Sequence, residues 1–360
     1  MSGVTGFLKH VGFVLKQPRV VPRIYGGFFR ALVLRQPVLR SVELAVTYQC
    51  QCRCAMCYAA KLSDPGKKPM SVEQIARLWE ECHGLGAIHV NVTGGEPLLR
   101  KDLCEVIGAL KPASTIVSMV TNGVLLTPER VDQLKAAGLR YLQVSVDSLD
   151  PDEHDRLRGV PGTFQHLVDG AEYARKAGLT VCFSTVISHD ALMHPEKIQA
   201  IIDFSAARGA FLLFNLASTS GGWTGHKEVL LTEEDLRMVR EFRKNPTVRQ
   251  DLMYNFIGRS GCPAGTEKFY VTAYGDVTPC DMIHVSFGNV LREPVKDIWK
   301  RMYSADPYKS RMTQCLRCAN QDYVSCTIDP ICGIDRLPVP VDEHPVLGAK
   351  SGDTAIGQGK

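Results

Sequence analysis

The chain lacks any uninterrupted run of about 18 or more apolar residues, so we expect no transmembrane helix. A secretory signal is also missing, because the apolar stretch near the start is broken by Lys9, His10 and Lys16. Of the 360 residues, 45% are hydrophobic and 22% are charged, which is ordinary for a globular protein. We expect a cytoplasmic location, because the cysteines cluster in C-x2-C and C-x3-C groups, which indicates metal ligation in a reducing cytosol.

Acidic residues are missing from the first 42 positions, and the first one is Glu43. The same stretch carries seven basic residues, which are Lys9, Lys16, Arg19, Arg23, Arg30, Arg35 and Arg40. The net charge of +4 therefore belongs to one end of the chain and not to the whole protein. No aromatic-and-basic motif of a known nucleic-acid module accompanies this charge, so we expect no nucleic-acid partner.

Apolar side chains recur at helical spacing in residues 5–16 and 22–34, beside the basic residues. The pattern predicts basic amphipathic helices within residues 1–41. Such helices either pack on the outside or the bottom of the main domain, or contact an anionic membrane surface through residues 1–40. The second alternative would make the protein peripheral to a membrane.

The chain has 13 cysteines, and the first group of them lacks the spacing typical of zinc sites, which is two C-x2-C pairs roughly 15 residues apart. The first four instead lie in the run Cys50-Gln-Cys-Arg-Cys-Ala-Met-Cys57. Within it, Cys50, Cys54 and Cys57 form a C-x3-C-x2-C triplet, and we interpret Cys52 as a bystander. Because iron–sulfur clusters are usually held by four cysteines, a triplet leaves one iron for another ligand.

Residues 42–216 alternate between strand-like and helix-like segments, which predicts a parallel sheet with helices outside it. The predicted strands cover residues 42–47, 88–93, 115–120, 141–146, 180–187 and 210–216. The predicted helices cover residues 71–83, 101–110, 128–137, 162–177, 195–208 and 232–244. Six such units are too few for a closed eight-stranded barrel.

Small or polar residues follow the first four predicted strands. These strand ends are the cysteine triplet, Gly94-Gly95-Glu96, Thr121-Asn122-Gly123 and Ser145-Val-Asp147-Ser148. In barrels of parallel strands the chemistry is carried by the loops at the carboxyl ends of the strands. The pattern therefore predicts a functional site at that end of the sheet.

The triplet after the first strand and the run Gly94-Gly95-Glu96-Pro97 after the second resemble the signature of the radical S-adenosylmethionine (SAM) superfamily. The resemblance implies a partial (β/α)6 TIM-like barrel, which we place at residues 42–250. It also implies a [4Fe–4S] cluster on Cys50, Cys54 and Cys57, with SAM bound at the fourth iron.

The same resemblance implies the ligands of SAM. It assigns the Gly94–Pro97 motif to the amino group of SAM, and it places Asn122 and Ser145 near the ribose or the carboxylate. Arg158 is a candidate partner of the carboxylate, with an unengaged surface arginine as the alternative. Met56 occupies the position before the third cysteine, where the family usually has an aromatic residue near the adenine.

Six further cysteines follow residue 255, namely Cys262, Cys280, Cys315, Cys318, Cys326 and Cys332. With Gly275 they form C-x12-G-x4-C, a gap, and C-x2-C-x7-C-x5-C. This arrangement resembles the SPASM or the shorter twitch extension of radical SAM enzymes, so we expect a small cysteine-rich domain at residues 251–337. A zinc ribbon on four of these cysteines is the alternative.

The resemblance implies one or two auxiliary [4Fe–4S] clusters. Family pairing would group Cys262, Cys280 and Cys332 on one cluster, and Cys315, Cys318 and Cys326 on the other. The later spacings are longer than in the family and no cysteine follows Cys332, so either one cluster is complete or two exist with a ligand other than cysteine. Asp281 matches the base of sulfatase-maturing relatives and is the candidate catalytic residue.

The resemblance also implies an activity. The enzyme would reductively cleave SAM to a 5′-deoxyadenosyl radical, abstract a substrate hydrogen, and oxidise or cross-link a peptide or protein with its auxiliary clusters. A flavodoxin or ferredoxin would supply electrons. Small-molecule or lipid-precursor biosynthesis near a membrane is the alternative, and a non-catalytic iron–sulfur or zinc scaffold is a third. We expect residues 338–360 to form a flexible tail.

Overall fold

The computed structural model describes residues 18–250, 262–309, 315–316 and 321–348. Its centre is a sheet of nine strands within these ranges. The strands are β1 (Ser41–Thr47), β2 (His89–Gly94), β3 (Ile116–Thr121), β4 (Tyr141–Ser145), β5 (Thr180–Ile187), β6 (Phe211–Leu216), β7 (Val248–Arg249), β8 (Lys268–Val271) and β9 (Val277–Thr278). They lie in the order β7-β6-β5-β4-β3-β2-β1-β8-β9.

Neighbouring strands from β7 to β8 are parallel, and only β9 is antiparallel, in a hairpin with β8. The predicted partial TIM-like barrel is confirmed by this order. Strands β7, β8 and β9 were not predicted. Because β8 pairs with β1, the first strand of the predicted cysteine-rich domain extends the barrel sheet.

The helices between the strands are α2 (Val72–Leu85), α3 (Leu103–Ala109), α4 (Pro128–Ala137), α5 (Pro151–Arg158), α6 (Thr163–Lys176), α7 (His189–Leu192), α8 (Pro195–Ala207) and α9 (Glu233–Phe242). Their ends follow local signals. Helix α2 begins with a capping box between Ser71 and Gln74 and ends at Gly86, whose φ of 114° is left-handed. The predicted helix at 162–177 is preceded by a second helix, α5, for which Asp150 is the N-cap.

Alternating residues on the strands separate an apolar outer face from a polar interior. On β1, Val42 and Leu44 belong to the buried core that the helices cover. Glu43 lies between them and faces the other way, where it contacts Lys268 at 3.1 Å and Asn91 at 2.7 Å. The barrel therefore has a hydrophobic wall and a polar interior.

An N-terminal helix, α1 (Val21–Leu32), packs at the amino ends of the strands. Val20 is fully buried against Ile88 and Ile116, which lie at the starts of β2 and β3. The predicted helix at 22–34 is therefore present. The predicted helix at 5–16 lies outside the described residues. Within those residues, no helix is long and apolar enough to cross a membrane.

The cysteine-rich part contains helix α10 (Val295–Ser304) and a parallel pair of strands, β10 (Val285–Ser286) and β11 (Val339–Pro340). Strand β11 lies inside the predicted tail of residues 338–360. His344 is also buried there, and its Nε2 bonds the Thr327 carbonyl at 2.9 Å. Residues 339–348 therefore differ from the expected flexible tail, because they supply apolar and hydrogen-bonding groups that cover the cysteine-rich part.

Candidate active site

The loop after β1 presents the predicted cysteine triplet at the carboxyl end of the sheet. Cys50 is exposed, whereas Cys54 and Cys57 are half-buried. Burial raises the pKa of the Cys57 thiol to about 11. Three thiols on one short loop match the chemistry of iron–sulfur ligation.

Cys52 is buried between two of these thiols. It lies within hydrogen-bonding range of the sulfurs of Cys50 and Cys54. Its hydrogen bond lowers the pKa of both thiols, and the pKa of Cys54 falls to about 6 with further help from the Arg158 guanidinium. Cys52 thus belongs to the polar interior of the loop, although its interpretation as a bystander to ligation stays a prediction.

The glycines at the carboxyl end of β2 are required by close backbone packing. A Cβ atom at Gly94 would lie 2.0 Å from the Thr47 carbonyl oxygen, and one at Gly95 would lie 2.4 Å from that of Gln49. The Gly95 amide donates to the Thr47 carbonyl at 2.8 Å. Any side chain here would displace the start of the cysteine loop. The sequence predicted that these glycines allow a ligand to approach, and the structure adds this second reason.

Glu96 is completely buried and links the ends of two strands. Its Oε1 accepts hydrogen bonds from the Leu98 amide at 3.0 Å and the Thr121 hydroxyl at 2.8 Å. Its Oε2 accepts from the Asn122 amide at 2.9 Å. Burial raises the pKa of this carboxyl to about 7, although the hydrogen bonds act in the opposite direction. The neighbouring Pro97 opens a short 3-10 turn and is also buried.

Asn122, at the end of β3, contacts the cysteine loop directly. Its Nδ2 lies 3.8 Å from the Cys50 sulfur, and its Oδ1 accepts from Gln51 Nε2 at 3.1 Å. The structure thus brings a predicted SAM ligand and a predicted cluster ligand together. Ser145, at the end of β4, is half-buried and alternates with the buried Leu142 and Val144 along the strand; it makes no side-chain hydrogen bond within the described residues. Met56 is half-buried on the loop itself.

Arg158, at the end of α5, is engaged with the site and is not an unengaged surface arginine. Its guanidinium forms an ion pair with Asp147, and its Nη1 lies 3.8 Å from the Cys54 sulfur. Burial disfavours its charge, but Asp147 and the Cys54 sulfur hold the pKa of Arg158 above its ordinary value. Its carbonyl also accepts from the Arg53 amide at 2.9 Å, which ties α5 to the cysteine loop.

Gly221 and Gly222 belong to the site although the sequence analysis did not select them. They lie in a 3-10 turn after β6, and the Gly222 amide donates to the Cys57 carbonyl at 2.9 Å. A Cβ atom at Gly222 would lie 2.1 Å from the Ala55 carbonyl oxygen. The run of small residues from 217 to 222 after a predicted strand was the available signal.

Asp281 lies where the cysteine-rich part meets the barrel. Its Oδ1 accepts from the Cys280 thiol at 2.8 Å. Burial, and then the nearby charge of Asp281, raise the pKa of Tyr58. Tyr58 directly follows Cys57, and its hydroxyl lies 3.2 Å from the Thr93 hydroxyl. The candidate base is therefore close to the cysteine loop.

Three of the auxiliary cysteines lie close together in the described residues. The Cys262 thiol is within hydrogen-bonding range of Cys315 and close to Cys280. Cys332 lies close to Asp329 and Lys61, and Cys326 is exposed. Cys318 is outside the described residues. The proximity of Cys315 to Cys262 differs from the family pairing, because the chain folds the two segments together despite their separation in sequence.

The residues fit a bound polar cofactor at the mouth of the barrel. Apart from Asp147 Oδ2, which is ion-paired with Arg158, three side-chain atoms there are buried without a hydrogen-bond partner in the described structure, namely Gln51 Oε1, His154 Nε2 and Arg158 Nε. Buried polar atoms rarely stay unpaired, so these atoms point to a missing partner. No group of three ligating side chains in the described ranges surrounds a single metal ion. Cysteine thiols that each bind a different iron of a cluster do not need to surround one common point.

Comparisons with known proteins agree with this geometry. Residues 44–203 match the family model of the Radical SAM superfamily, and residues 262–319 match that of SPASM, an iron–sulfur cluster-binding domain. The AdoMet-dependent heme synthase of Methanosarcina barkeri is 28% identical over 290 residues, covering 72% of this chain and 82% of that one. The PqqA peptide cyclase of Ruegeria pomeroyi is 26% identical, with coverage of 93% and 96%.

Two solved structures share the fold. Streptococcus suis SuiB bound to its precursor peptide SuiA has a TM-score of 0.61 at 20% identity, covering 76% of this chain and 66% of that one. The native anSMEcpe structure with bound AdoMet has a TM-score of 0.55 at 17% identity, covering 76% and 83%. The radical SAM domain binds a [4Fe–4S] cluster and SAM, and the SPASM domain binds auxiliary iron–sulfur clusters. The chain is an enzyme that belongs to the radical SAM superfamily and carries a SPASM domain.

Proposed function

We propose that Cys50, Cys54 and Cys57 hold the cluster that binds SAM, and that the enzyme oxidises or cross-links a peptide or protein substrate. The observation that carries the proposal is the position of Asp281, which lies near Tyr58 and therefore near the cysteine loop. A proton acceptor between the two cysteine-bearing parts suits an oxidation in which the substrate loses a proton as well as a hydrogen atom. The similarity to the PqqA peptide cyclase supports a peptide substrate.

When bound, the cluster and SAM supply a 5′-deoxyadenosyl radical that abstracts a hydrogen atom from the substrate. The chain's own residues hold the parts in place. The glycine-dependent backbone of the Gly94–Pro97 motif positions the cysteine loop and offers acceptors for an amino group. Glu96 accepts a hydrogen bond from the backbone amide of Asn122. The side chains of Asn122 and Ser145 remain candidates to bind the polar groups of SAM.

Arg158 is proposed in a double role. Its Nη1 touches the Cys54 sulfur, and its unpartnered Nε is free to donate to a carboxylate within the described site. Asp147 holds the guanidinium in this orientation through its ion pair. Contact with the sulfur through one nitrogen and donation to a carboxylate from another are compatible because a guanidinium has five N–H donors in a planar fork.

Asp281 is proposed as the base that accepts the substrate proton. Its Oδ1 accepts a hydrogen bond from the Cys280 thiol at 2.8 Å. Ligation of Cys280 as a thiolate removes that donor, so the carboxylate becomes available to substrate. Asp281→Asn should retain SAM cleavage and lose product formation. Loss of both activities would contradict the assignment to the oxidation step.

For the auxiliary site, we propose Cys262, Cys280 and Cys315 as ligands of one cluster, because their thiols lie together. Cys318, Cys326 and Cys332 remain candidates for the other auxiliary cluster ligands. All six cysteines lie within the cysteine-rich domain proposed at residues 251–337. A variant with Cys50, Cys54 and Cys57 all changed to Ala should retain about four irons for one auxiliary cluster or about eight for two. Complete loss of iron would contradict the proposal of independent auxiliary clusters.

The decisive test of the proposed reaction is SAM cleavage after anaerobic reconstitution. The wild type, reduced by a flavodoxin or ferredoxin as the proposed electron donor or by dithionite, should form 5′-deoxyadenosine. The Cys54→Ala variant should not, whereas Cys104→Ala, on helix α3, should behave as the wild type. Absence of 5′-deoxyadenosine from a fully reduced wild-type cluster would contradict the proposal.

Small-molecule or lipid-precursor biosynthesis is the second candidate, supported by the similarity to an AdoMet-dependent heme synthase. The two candidates differ in the protease sensitivity of the substrate. Cell-extract fractions that stimulate 5′-deoxyadenosine formation should lose this effect after protease treatment and protease removal if the substrate is a peptide. Stimulation that survives the treatment would favour the small molecule.

A further inference from the structure

Helix α1 leaves an apolar surface uncovered. The described residues include eight exposed large hydrophobic side chains, and five of them lie between positions 25 and 34. These five residues, which we call the α1 patch, are Tyr25, Phe29, Leu32, Val33 and Leu34. Tyr25 is 69% exposed and Phe29 is 55% exposed. Residues 25, 29 and 32 are spaced by about one turn each and therefore share one face of the helix.

The opposite side of α1 is already docked on the barrel. Val20 and Ile24 pack with Ile88 and Ile116, and the Arg23 guanidinium donates to the carbonyls of His83 and Ala87. The helix is thus held in place by both apolar contacts and hydrogen bonds. The α1 patch is a second face of an anchored helix, so turning the helix onto the barrel cannot bury it without breaking these contacts.

The chain segment that carries the α1 patch has charges of one sign. Arg19 and Arg35 are exposed at its two ends, and Arg30 is half-buried between them. Arg40 forms an ion pair with Glu267 at 3.3 Å, so its charge is balanced. No acidic residue occurs before Glu43, and the residues that precede α1 in the sequence add Lys9 and Lys16. An exposed apolar face bordered by cations complements an anionic bilayer, which offers an apolar interior below negative headgroups.

We propose that the α1 patch binds the surface of an anionic phospholipid bilayer. Tyr25, Phe29 and the aliphatic side chains enter the headgroup boundary, while Arg19 and Arg35 contact lipid phosphates. The binding is peripheral and does not require a membrane-spanning helix. It is independent of the substrate of the enzyme.

The position of the α1 patch also sets the orientation of the bound enzyme. Helix α1 covers the amino ends of β2 and β3, whereas the cysteine loop and the Gly94–Pro97 motif lie at the carboxyl ends of the strands. A molecule held by α1 therefore turns the mouth of its barrel away from the lipid. Substrate and electron donor reach the site from the aqueous side, and the bilayer does not obstruct it.

The test is vesicle co-sedimentation of the full-length, cluster-loaded enzyme. Wild type should pellet with phosphatidylcholine vesicles that contain phosphatidylglycerol, and added salt should release it. The triple variant Tyr25→Ser/Phe29→Ser/Val33→Ser should have a vesicle partition coefficient at least about tenfold lower than that of the wild type. The double variant Arg19→Gln/Arg35→Gln should show the same reduction at low salt. Met193→Ser/Leu291→Ser, which removes exposed apolar residues elsewhere, should bind as the wild type does. The bound enzyme should cleave SAM at the rate of the free enzyme.

Several results would overturn the proposal. Equal binding of wild type and the Tyr25/Phe29/Val33 variant would remove the α1 patch as the membrane contact, as would equal binding to vesicles without phosphatidylglycerol. Binding only after deletion of residues 1–17 would mean that this segment covers the patch. A dimer that becomes a monomer in the Ser variant would mean that a second copy covers it. Inhibition of SAM cleavage by bound vesicles would overturn the orientation.

Discussion

At the scale of single residues, Arg158 connects two parts of the site. It ends α5, pairs with Asp147 after β4, and touches the sulfur of Cys54 on the loop after β1. A buried cation beside a thiolate stabilises the added electron of a reduced cluster, because charge near the ligands sets the reduction potential. The role of this arginine is therefore electrostatic as well as geometric.

Arg158→Gln should lower the reduction potential of the SAM-binding cluster by on the order of tens of millivolts, because a buried positive charge is removed. The three cysteine ligands remain, so iron content should not change. The measurement is a redox titration followed by electron paramagnetic resonance. Arg156→Gln, an exposed arginine on the same helix, is the matched control. An unchanged potential in Arg158→Gln would contradict the electrostatic role.

At the scale of elements, the cysteine loop is held between two glycine turns. Gly94 and Gly95 pack beneath its start, and Gly221 and Gly222 pack against the carbonyls of Ala55, Cys57 and Tyr58. Turns after β2 and β6 approach the same loop because the sheet curves into a partial barrel. The loop conformation therefore depends on strands that are far apart in the sequence.

Gly222→Ala should displace the cysteine loop, because the new Cβ would lie 2.1 Å from the Ala55 carbonyl oxygen. We expect loss of the iron held by Cys50, Cys54 and Cys57 with retention of the auxiliary iron. Iron analysis after anaerobic reconstitution measures the effect. Gly108→Ala in α3 meets nothing within 4 Å and should stabilise the protein by about 0.5 to 1 kcal/mol. Normal iron content in Gly222→Ala would show that the loop can relax.

Strand β11 should contribute measurably to stability. A chain truncated after residue 337 loses the pairing of β10 with β11, the buried Val339 and the buried His344. We expect its free energy of unfolding to fall by about 2 to 4 kcal/mol, as for the loss of large buried side chains. Thermal denaturation compares it with a chain truncated after residue 348, which keeps every described residue. Equal melting temperatures for the two truncations would contradict the contribution of β11.

At the scale of the whole molecule, burial controls how stability depends on pH. Burial lowers the pKa of His89 to about 3, and of His154 and His284 to about 4. In the unfolded chain histidine titrates near 6.5, so between about pH 4 and 6.5 the unfolded chain binds more protons than the folded one. The free energy of unfolding therefore rises with pH across this window and falls on acidification.

Glu96 acts in the opposite direction. Burial raises its pKa to about 7, so the folded chain holds a proton that the unfolded chain releases between about pH 4.5 and 7. Its stabilising contribution is fully present below the unfolded pKa and is lost as the pH rises through 7. The contribution of Glu96 cancels when the wild type is compared with a histidine variant, because both proteins contain Glu96.

His89 allows the clearest measurement, because it lies between Ser41 and Ser118 at the amino end of the sheet, away from the cysteines. On acidification from about pH 8 to about pH 5, wild type should lose about 2 kcal/mol relative to His89→Gln. Urea unfolding of the cluster-free proteins at both pH values measures this difference. The exposed His166→Gln should show no such change, and a pH-independent difference for His89→Gln would contradict the buried neutral state.

Local sequence patterns determined most of the barrel. Ser71 with Gln74 and Thr232 with Asp235 form the capping boxes that begin α2 and α9, and alternating apolar residues mark the strands. These signals act over a few residues and can be read without the fold. The motifs at the ends of the first three strands could also be placed, because parallel strands end at one edge of a sheet. Helix α5 was missed although Asp150 and Pro151 give a standard start.

Only the tertiary structure decided the contacts between distant segments. Nothing local shows that β8 pairs with β1, that Gly222 packs under Cys57, or that Cys315 lies beside Cys262. Only the fold shows that Glu96 bonds the protein itself, since two of the three donors to its carboxylate come from the end of the neighbouring strand. The sequence by itself determined the cysteine triplet and the strand-end motifs, which are written in adjacent residues. Their arrangement into a site depends on sheet curvature and burial, which arise only when the whole chain packs.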